Sequence, residues 1–175
     1  YKLPVVSLPP GLVSVIWVLI FAPGPNGMMN AFIQLVTFNT WSPRDFLHDP
    51  LLALPAITIT SLWQGVGFQM VIILAGLQAI PEELYEASVV DGARRWATFR
   101  HITFPQLRNT LIFVVLVTTI LAFRLFDQVQ IMTQGGPNSA TTTVMYETVQ
   151  AAFSRQQVAR GSAMTVVLFL IVLVL

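Results

Sequence analysis

Apolar runs long enough to form helices alternate along this chain with short polar stretches rich in proline and glycine. The first run is roughly Val5 to Phe21, broken early by Pro9-Pro10 and ended by the turn-forming cluster from Ala22 to Gly27. The second extends from about Leu51 to Ala79, the third from about Leu111 to Phe126, and the fourth from Ser162 to Leu175. Proline and glycine inside such runs are tolerated in membrane helices, where neighbouring groups satisfy the freed backbone. The pattern predicts an all-α chain: a polytopic membrane helical bundle of about four membrane helices. No internal repeat and no separable soluble domain is evident. One polar stretch stands apart, Glu86 to Pro105, with the sequence EASVVDGARRWATFRHITFP.

Composition agrees with the pattern. Of 175 residues, 55% are hydrophobic and only 10% charged, against about 25% charged in an ordinary soluble domain. The mean hydropathy is +0.72. A net charge of +1 without a clustered basic face argues against a nucleic-acid partner. There is no cysteine, and His48 and His101 lie far apart, so a metal centre is not expected. The chain starts at Tyr1 and stops inside an apolar run of about fourteen residues, where a span needs about twenty. These ends are read as those of an internal fragment, truncated on both sides.

Loop charge predicts orientation. The loop between the second and third runs holds Arg94, Arg95, Arg100 and Arg108; the loop before the second run holds Arg44, and that after the third holds Arg155 and Arg160. With Lys2 before the first run, the basic excess places the Glu86–Pro105 loop in the cytoplasm. Locally that loop reads as two short helices about a turn. Pro81 suits a first helical position, and Glu82 and Glu83 complement the helix dipole. Leu84, Ala87 and Val90 share one face, and Asp91-Gly92 ends the helix, with glycine free to turn left-handed. Trp96, Phe99 and Ile102 follow at helical spacing, and Pro105 is expected to stop the second helix. By periodicity alone, an interfacial helix pair resting on membrane lipid explains the loop as well as a functional role does.

Spacing distinguishes the two. Glu86-Ala87-Ser88, three residues, Gly92, nine residues, then Ile102-Thr103-Phe104-Pro105 resembles the EAA loop of permease subunits in binding-protein-dependent ABC importers. The family pattern is Glu-Ala-Ala, three residues, Gly, nine residues, Ile-x-Leu-Pro, so this chain departs at Ser88 and Phe104. The resemblance extends upstream through SLWQGVGFQMVIILAGLQAIPEELYEA and downstream through FRLFDQVQIMTQGGPNSATTT, and covers nearly the whole chain. It is similar to the sugar-importing branch typified by the maltose permease. The resemblance implies that residues 1–175 are part of an ABC transporter transmembrane domain, with residues 79–108 its coupling loop. Glu86, Ala87, Ser88, Asp91, Gly92, Ile102 and Pro105 would be the coupling elements toward a separate ATPase. A small-residue face of Ala87, Ser88, Gly92 and Ala93 would enter a groove there, and Glu86 and Asp91 would meet basic residues.

The chain has no phosphate-binding loop of its own, since the glycine pair Gly135-Gly136 lacks the required lysine and helix. It is therefore not read as an enzyme; ATP and Mg belong to partner ATPase subunits, and no cofactor is expected in this chain. In the second run Ser61, Gln64, Gly65 and Phe68 fall on one helical face beside Trp63 and Gln69. From the residues alone, ordinary helix packing explains such a face better than a sugar path does, and the resemblance makes the two readings equal. The resemblance maps a substrate path onto Ser61, Trp63, Gln64, Gly65 and Phe68, and onto Thr118, Ala122 and Leu125. Ala122 and Leu125 stand where the maltose permease has hydrogen-bonding side chains, a departure that argues against maltose. Arg124 and Asp127, three apart, read as a structural ion pair. Val144, Met145, Val149 and Ala152 predict an amphipathic helix outside the membrane. The implied partners are ATPase subunits, a second and different permease, an extracytoplasmic binding protein, a sugar and membrane lipid, in a prokaryotic plasma membrane. A secondary transporter or channel with an interfacial loop is the alternative. Such proteins more often carry membrane-buried ionisable residues, and the first two runs have none.

Overall fold

The computed structural model describes residues 9–174, so the first four residues of the first apolar run, Lys2 and Leu175 lie outside the described residues. The elements are α1 (Pro10–Ile20), α2 (Met28–Val36), α3 (Ala53–Gln78), α4 (Glu82–Val90), α5 (Arg95–Thr98), α6 (Phe104–Phe123), α7 (Asp127–Met132), α8 (Val144–Val149) and α9 (Val158–Val174). A π-helical stretch, Phe99–Thr103, joins α5 to α6, and another, Gln150–Ser154, follows α8. Among the described residues, two helices are long and apolar enough to cross a membrane: Ala53–Gln78, and the continuous run Arg95–Phe123. Only 17% and 6% of their most apolar windows are buried within the chain. The core helix of a soluble protein would be mostly covered, so these side chains need lipid or other helices around them. α1 and α9 are apolar but shorter, 11 and 17 residues.

The chain divides into two compact units, residues 1–64 with 121–175, and residues 65–120. The core of the first is Val13, Trp17 and Phe21 of α1, Phe46, Leu47, Ala56 and Ile57, Val129 and Met132 of α7, and Tyr146 of α8. Its rings interlock: Trp17 and Phe21 lie 5.2 Å apart, Phe21 and Phe46 5.6 Å, and Trp17 meets Trp63 edge-on at 6.0 Å. The turn cluster folds back tightly after α1, and a Cβ at Gly27 would sit 2.0 Å from the Ala22 carbonyl oxygen. Only glycine fits there.

α2 and α7 were not among the predicted elements. α2 is held by Asn30, which is fully buried; it donates to the Arg44 carbonyl at 2.8 Å and accepts from the Arg44 N–H at 3.0 Å and Trp41 Nε1 at 3.2 Å. Nearby, Asp45 accepts the N–H groups of Leu47 and His48, and its carboxylate meets the His48 ring. Partial burial pushes the Asp45 carboxyl up, but the hydrogen bonds and charge of His48 outweigh it and hold the group below its ordinary range.

The third apolar run differs from expectation at both ends. Pro105 does not stop the preceding helix. The backbone widens to a π turn, in which the Phe104 N–H reaches the Phe99 carbonyl five residues back, and helix continues through Pro105 to Phe123. A π-bulge is one way a helix absorbs a residue that cannot make the ordinary bond. The helix then ends before Arg124, so Arg124 and Asp127 share no helix. They form no ion pair; those among the described residues join Asp45 to His48 and Glu147 to Arg155. Asp127 instead opens α7, where its charge suits the helix start. In α8 the buried positions are Tyr146 and Thr148, followed by Ala151, while Val144 is exposed and Met145, Val149 and Ala152 are half-buried. Tyr146 decides the rotation: it stacks on Phe126 at 6.3 Å and donates its hydroxyl to the Gln134 carbonyl at 2.6 Å.

In the second unit, a Cβ at Gly76 would meet Thr110 Oγ1 at 2.7 Å and Leu107 Cδ2 at 3.1 Å. Glycine there permits α3 and α6 to approach closely, as small residues do between membrane helices.

Two changes test these contacts by thermal unfolding of the full-length protein in detergent. Asn30→Leu strands the groups that Asn30 satisfies and is expected to cost about 2 kcal/mol; Asn30→Asp keeps both acceptor bonds but sets a carboxylate oxygen against the Arg44 carbonyl, so its cost should shrink as falling pH protonates it. Equal melting of native and Asn30→Leu would show that those groups find other partners. Gly76→Ala gains about 1 kcal/mol of helix propensity but meets Thr110, a crowding cost of about 1–3 kcal/mol. It should destabilise alone and become neutral or stabilising in a Thr110→Ala background. The same sign in both backgrounds would locate the cost elsewhere.

Candidate functional site

The polar loop folds as predicted about its turn, with a shift of one residue at its start. Pro81 caps α4 from outside, and Glu82 and Glu83 occupy the first turn. The turn forms because Gly92 takes a left-handed φ of +71° while its N–H bonds the Val89 carbonyl at 3.0 Å and Ala93 N–H reaches the Ser88 carbonyl at 2.9 Å. These are the bonds of a helix end closed by glycine. No atom lies within 4 Å of where a Gly92 Cβ would stand, so conformation and not crowding favours glycine.

Burial separates the coupling residues into two faces. Glu86, Ala87, Asp91, Gly92 and Ala93 are exposed. Ser88 is buried: its hydroxyl donates to the Tyr85 carbonyl at 2.7 Å and lies 3.4 Å from Thr98 Oγ1. The structure thus puts Ser88 on the inner face of α4, away from the small-residue face where the sequence placed it. Tyr85 extends the seam, its hydroxyl 3.2 Å from Thr103 Oγ1. An open groove of about 330 Å³ runs along this seam, between α4 and the stretch from Arg95 to Thr103. Val90, on the face it was expected to share with Leu84 and Ala87, is 87% exposed. Ile102 is half-buried and Pro105 exposed. Trp96 and Phe99 stack at 5.6 Å with both rings largely exposed. Outward-facing apolar residues beside charged ones are the composition of a surface awaiting a partner or a lipid interface.

The candidate substrate-path residues fall in both units. In the first, Ser61 Oγ lies 2.9 Å from Gln128 Oε1, and Gln128 Nε2 donates to Gln64 Oε1 at 2.7 Å. Gln128 is 4% exposed and joins two predicted residues that would otherwise be independent. Sequence reading passed over it because it lies in a short stretch beyond the third apolar run; two glutamines near the end of that run, Gln128 and Gln130, were the available signal. Trp63 lies against Trp17 and stays 40% exposed. Ala122 is exposed, whereas Leu125 packs against the aromatic core. In the second unit Gln69 Nε2 donates to Thr118 Oγ1 at 3.0 Å, Phe68 is exposed and Gly65 half-buried. Among the described residues no group of acidic, histidine or cysteine side chains is arranged to hold a metal ion.

The family model for the binding-protein-dependent transport system inner membrane component matches residues 4–175. Among curated relatives, a trehalose/maltose transport system permease of Thermococcus litoralis is 39% identical over 135 residues, 75% of this chain and 44% of the relative. An sn-glycerol-3-phosphate transport system permease of Brucella abortus is 33% identical over 172 residues, 97% of this chain and 56% of the relative. A probable ABC transporter permease of Pyrococcus horikoshii is 30% identical over 161 residues, 92% and 54% respectively. The chain spans about half the length of the curated relatives it matches. In a crystal structure of a bacterial ABC transporter that imports alginate, one chain superposes with a TM-score of 0.83 at 20% identity, covering 97% of this chain and 58% of that one. That likeness carries the fold, a helical membrane domain. With the family model matching nearly its full length, the chain belongs to the inner-membrane permease components of binding-protein-dependent transport systems.

Proposed function

We propose that this chain forms part of the translocation path of an ATP-driven importer for a sugar or related polyhydroxylated solute, and that its Glu86–Pro105 loop couples the path to separate ATPase subunits. The observation that carries the reading is the exposed α4–Gly92 turn. An otherwise apolar chain presents Glu86, Ala87 and Asp91 on a short helix backed by the Tyr85 hydroxyl against Thr103 and by Ser88 beside Thr98. A lever needs both properties: a free face for the partner and a backed face that transmits movement. Family membership supports the same role, and the names of relatives that carry trehalose/maltose or sn-glycerol 3-phosphate support the solute class.

In this reading ATP and Mg are held by the ATPase subunits, and the loop lies in the cytoplasm, where the arginine excess favours it. Residues 1–175 belong to a multi-pass transmembrane domain in a prokaryotic plasma membrane, with residues 79–108 its coupling loop. A second, different permease completes the path, and an extracytoplasmic binding protein delivers solute. Ser61, Trp63, Gln64, Gly65, Phe68 and Thr118 are the path residues. Ala122 is retained as a minor position, and the packing of Leu125 in the core makes it the weakest of the set.

The full complex in liposomes tests the coupling. Glu86→Lys reverses a charge on the free face and should lower binding-protein-stimulated ATPase and uptake together by at least about tenfold, the scale of like-charge contacts at an interface. Gly92→Asn should keep most coupling. Gly92→Val meets no clash but bears a cost of about 1–2 kcal/mol for a left-handed backbone, and should lose more. Native stimulation in Glu86→Lys and Gly92→Val complexes that retain their subunits would rule out this loop as the coupling element.

A further inference from the structure

We infer that Gln128, on α7, sets the hydrogen-bond polarity of the Ser61–Gln64 face, making Gln64 a donor toward the solute and Ser61 an acceptor. The inference rests on the reading that this face of α3 lines the solute path. Ser61 Oγ is 2.9 Å from both the Ile57 carbonyl and Gln128 Oε1, yet a hydroxyl has one proton to give. The Ile57 carbonyl already has a helical backbone donor four residues on. The Gln128 amide oxygen is buried and has no other donor among the described residues, so the proton goes to Gln128.

The rest follows from the amide. With its oxygen accepting from Ser61, the buried Gln128 amide turns its nitrogen to Gln64 and donates to Gln64 Oε1 at 2.7 Å. Gln64 therefore commits its carbonyl to the inside. Its Nε2 makes no hydrogen bond among the described residues, and no buried side-chain nitrogen or oxygen there lacks a partner, so that nitrogen is accessible. It offers two N–H donors to a solute oxygen, while Ser61, its proton committed, offers lone pairs to a solute hydroxyl. The chemistry fits a polyol or glycoside, in which oxygens that accept stand beside hydroxyls that donate. Gln128 touches no solute in this scheme; it is a positioning residue that fixes which way its neighbours face.

Gln128→Glu tests the inference, because the two protonation states of the introduced carboxyl predict opposite arrangements. When protonated, that carboxyl still donates to Gln64 Oε1 and keeps the native polarity. When ionised, it only accepts, so Gln64 must turn its amide nitrogen inward and present its carbonyl to the solute. Burial raises a carboxyl pKa, which brings the switch toward neutral pH. The full complex in liposomes is given radiolabelled maltose, trehalose and sn-glycerol 3-phosphate with the same binding protein throughout. Variant uptake relative to native should fall about tenfold between about pH 6 and pH 8.5, the scale of one hydrogen-bonding group left unmatched. The pH series is read within one preparation, so a lower yield of folded protein cancels.

A second readout does not depend on the solute. The isotope-labelled Gln64 side-chain amide should exchange rapidly with solvent in the native complex and become protected in Gln128→Glu at alkaline pH. Unchanged Gln64 exchange across the pH range overturns the inference, as does native uptake by Gln128→Met. The two readings fail separately. Native uptake by both Ser61→Ala and Gln64→Ala would remove this face from the solute path. Impaired uptake in those two, with pH-independent uptake and unchanged exchange in Gln128→Glu, would remove only the role of Gln128.

Discussion

Backbone groups freed at a helix break must find a partner when the surroundings are apolar, and this constraint governs the parts of the chain that are not regular helix. Where α6 ends, the Leu125 carbonyl is taken by the Thr143 hydroxyl, which also accepts the Tyr146 N–H and so starts α8. The Gln134 carbonyl is taken by Tyr146, and the Gly136 carbonyl by the buried Thr141, itself 2.7 Å from Thr133. One side chain thus closes one helix and opens the next. The tyrosine that bonds the loop also stacks in the core, and the loop's glycine is required by that ring: a Cβ at Gly135 would lie 2.7 Å from it. Asn30 does the same work for the segment between α2 and α3, with three bonds from a single buried amide.

The α4–Gly92 turn obeys the constraint differently. Its bonds are all backbone and local, and its outer face is left to water or to a partner. A turn stabilised by its own backbone can be presented without support from the rest of the protein, and that is the condition for a surface that docks. The Tyr85–Thr103 and Ser88–Thr98 contacts then limit how the helix can roll. The division between a bonded inner face and an open outer face is what makes the loop mechanically useful in the proposed coupling.

How much of this was legible in the sequence follows from the same distinction. Long helices announce themselves by apolar length, and the turn at Asp91-Gly92 by residue type, because both are local properties. The spacing from Glu86 to Pro105 carried the family. The errors are tertiary. Pro105 was expected to end a helix, since an isolated chain has no reason to widen one turn to fit it. The apolar face of Val144, Met145 and Val149 was legible, but not that Tyr146, with both a ring to stack and a hydroxyl to bond, sets the rotation of α8. Ser88 looked like part of a smooth docking face until its hydroxyl found Tyr85. Arg124 and Asp127 looked paired only on the assumption that α6 continues to Asp127. α2, α7 and Gln128 were missed because short elements depend on what they pack against.

The polar residues within the apolar helices illustrate where packing and function diverge. Gln69 and Thr118 satisfy each other in one bond, which is what helix packing alone requires, and both side chains are accounted for in part by that contact. The Ser61–Gln128–Gln64 chain is different in kind. Each link is directional, the middle residue is buried, and one end leaves an amide nitrogen open. A packing contact would gain nothing from that open end, since Gln64 could be replaced by an apolar residue of similar size and Gln128 with it. Burying the Gln128 amide costs desolvation, which its bonds to Ser61 and Gln64 offset. In the proposed reading, the open nitrogen of Gln64 at the end of that chain, and not the presence of glutamine as such, is what separates this face from ordinary helix contacts.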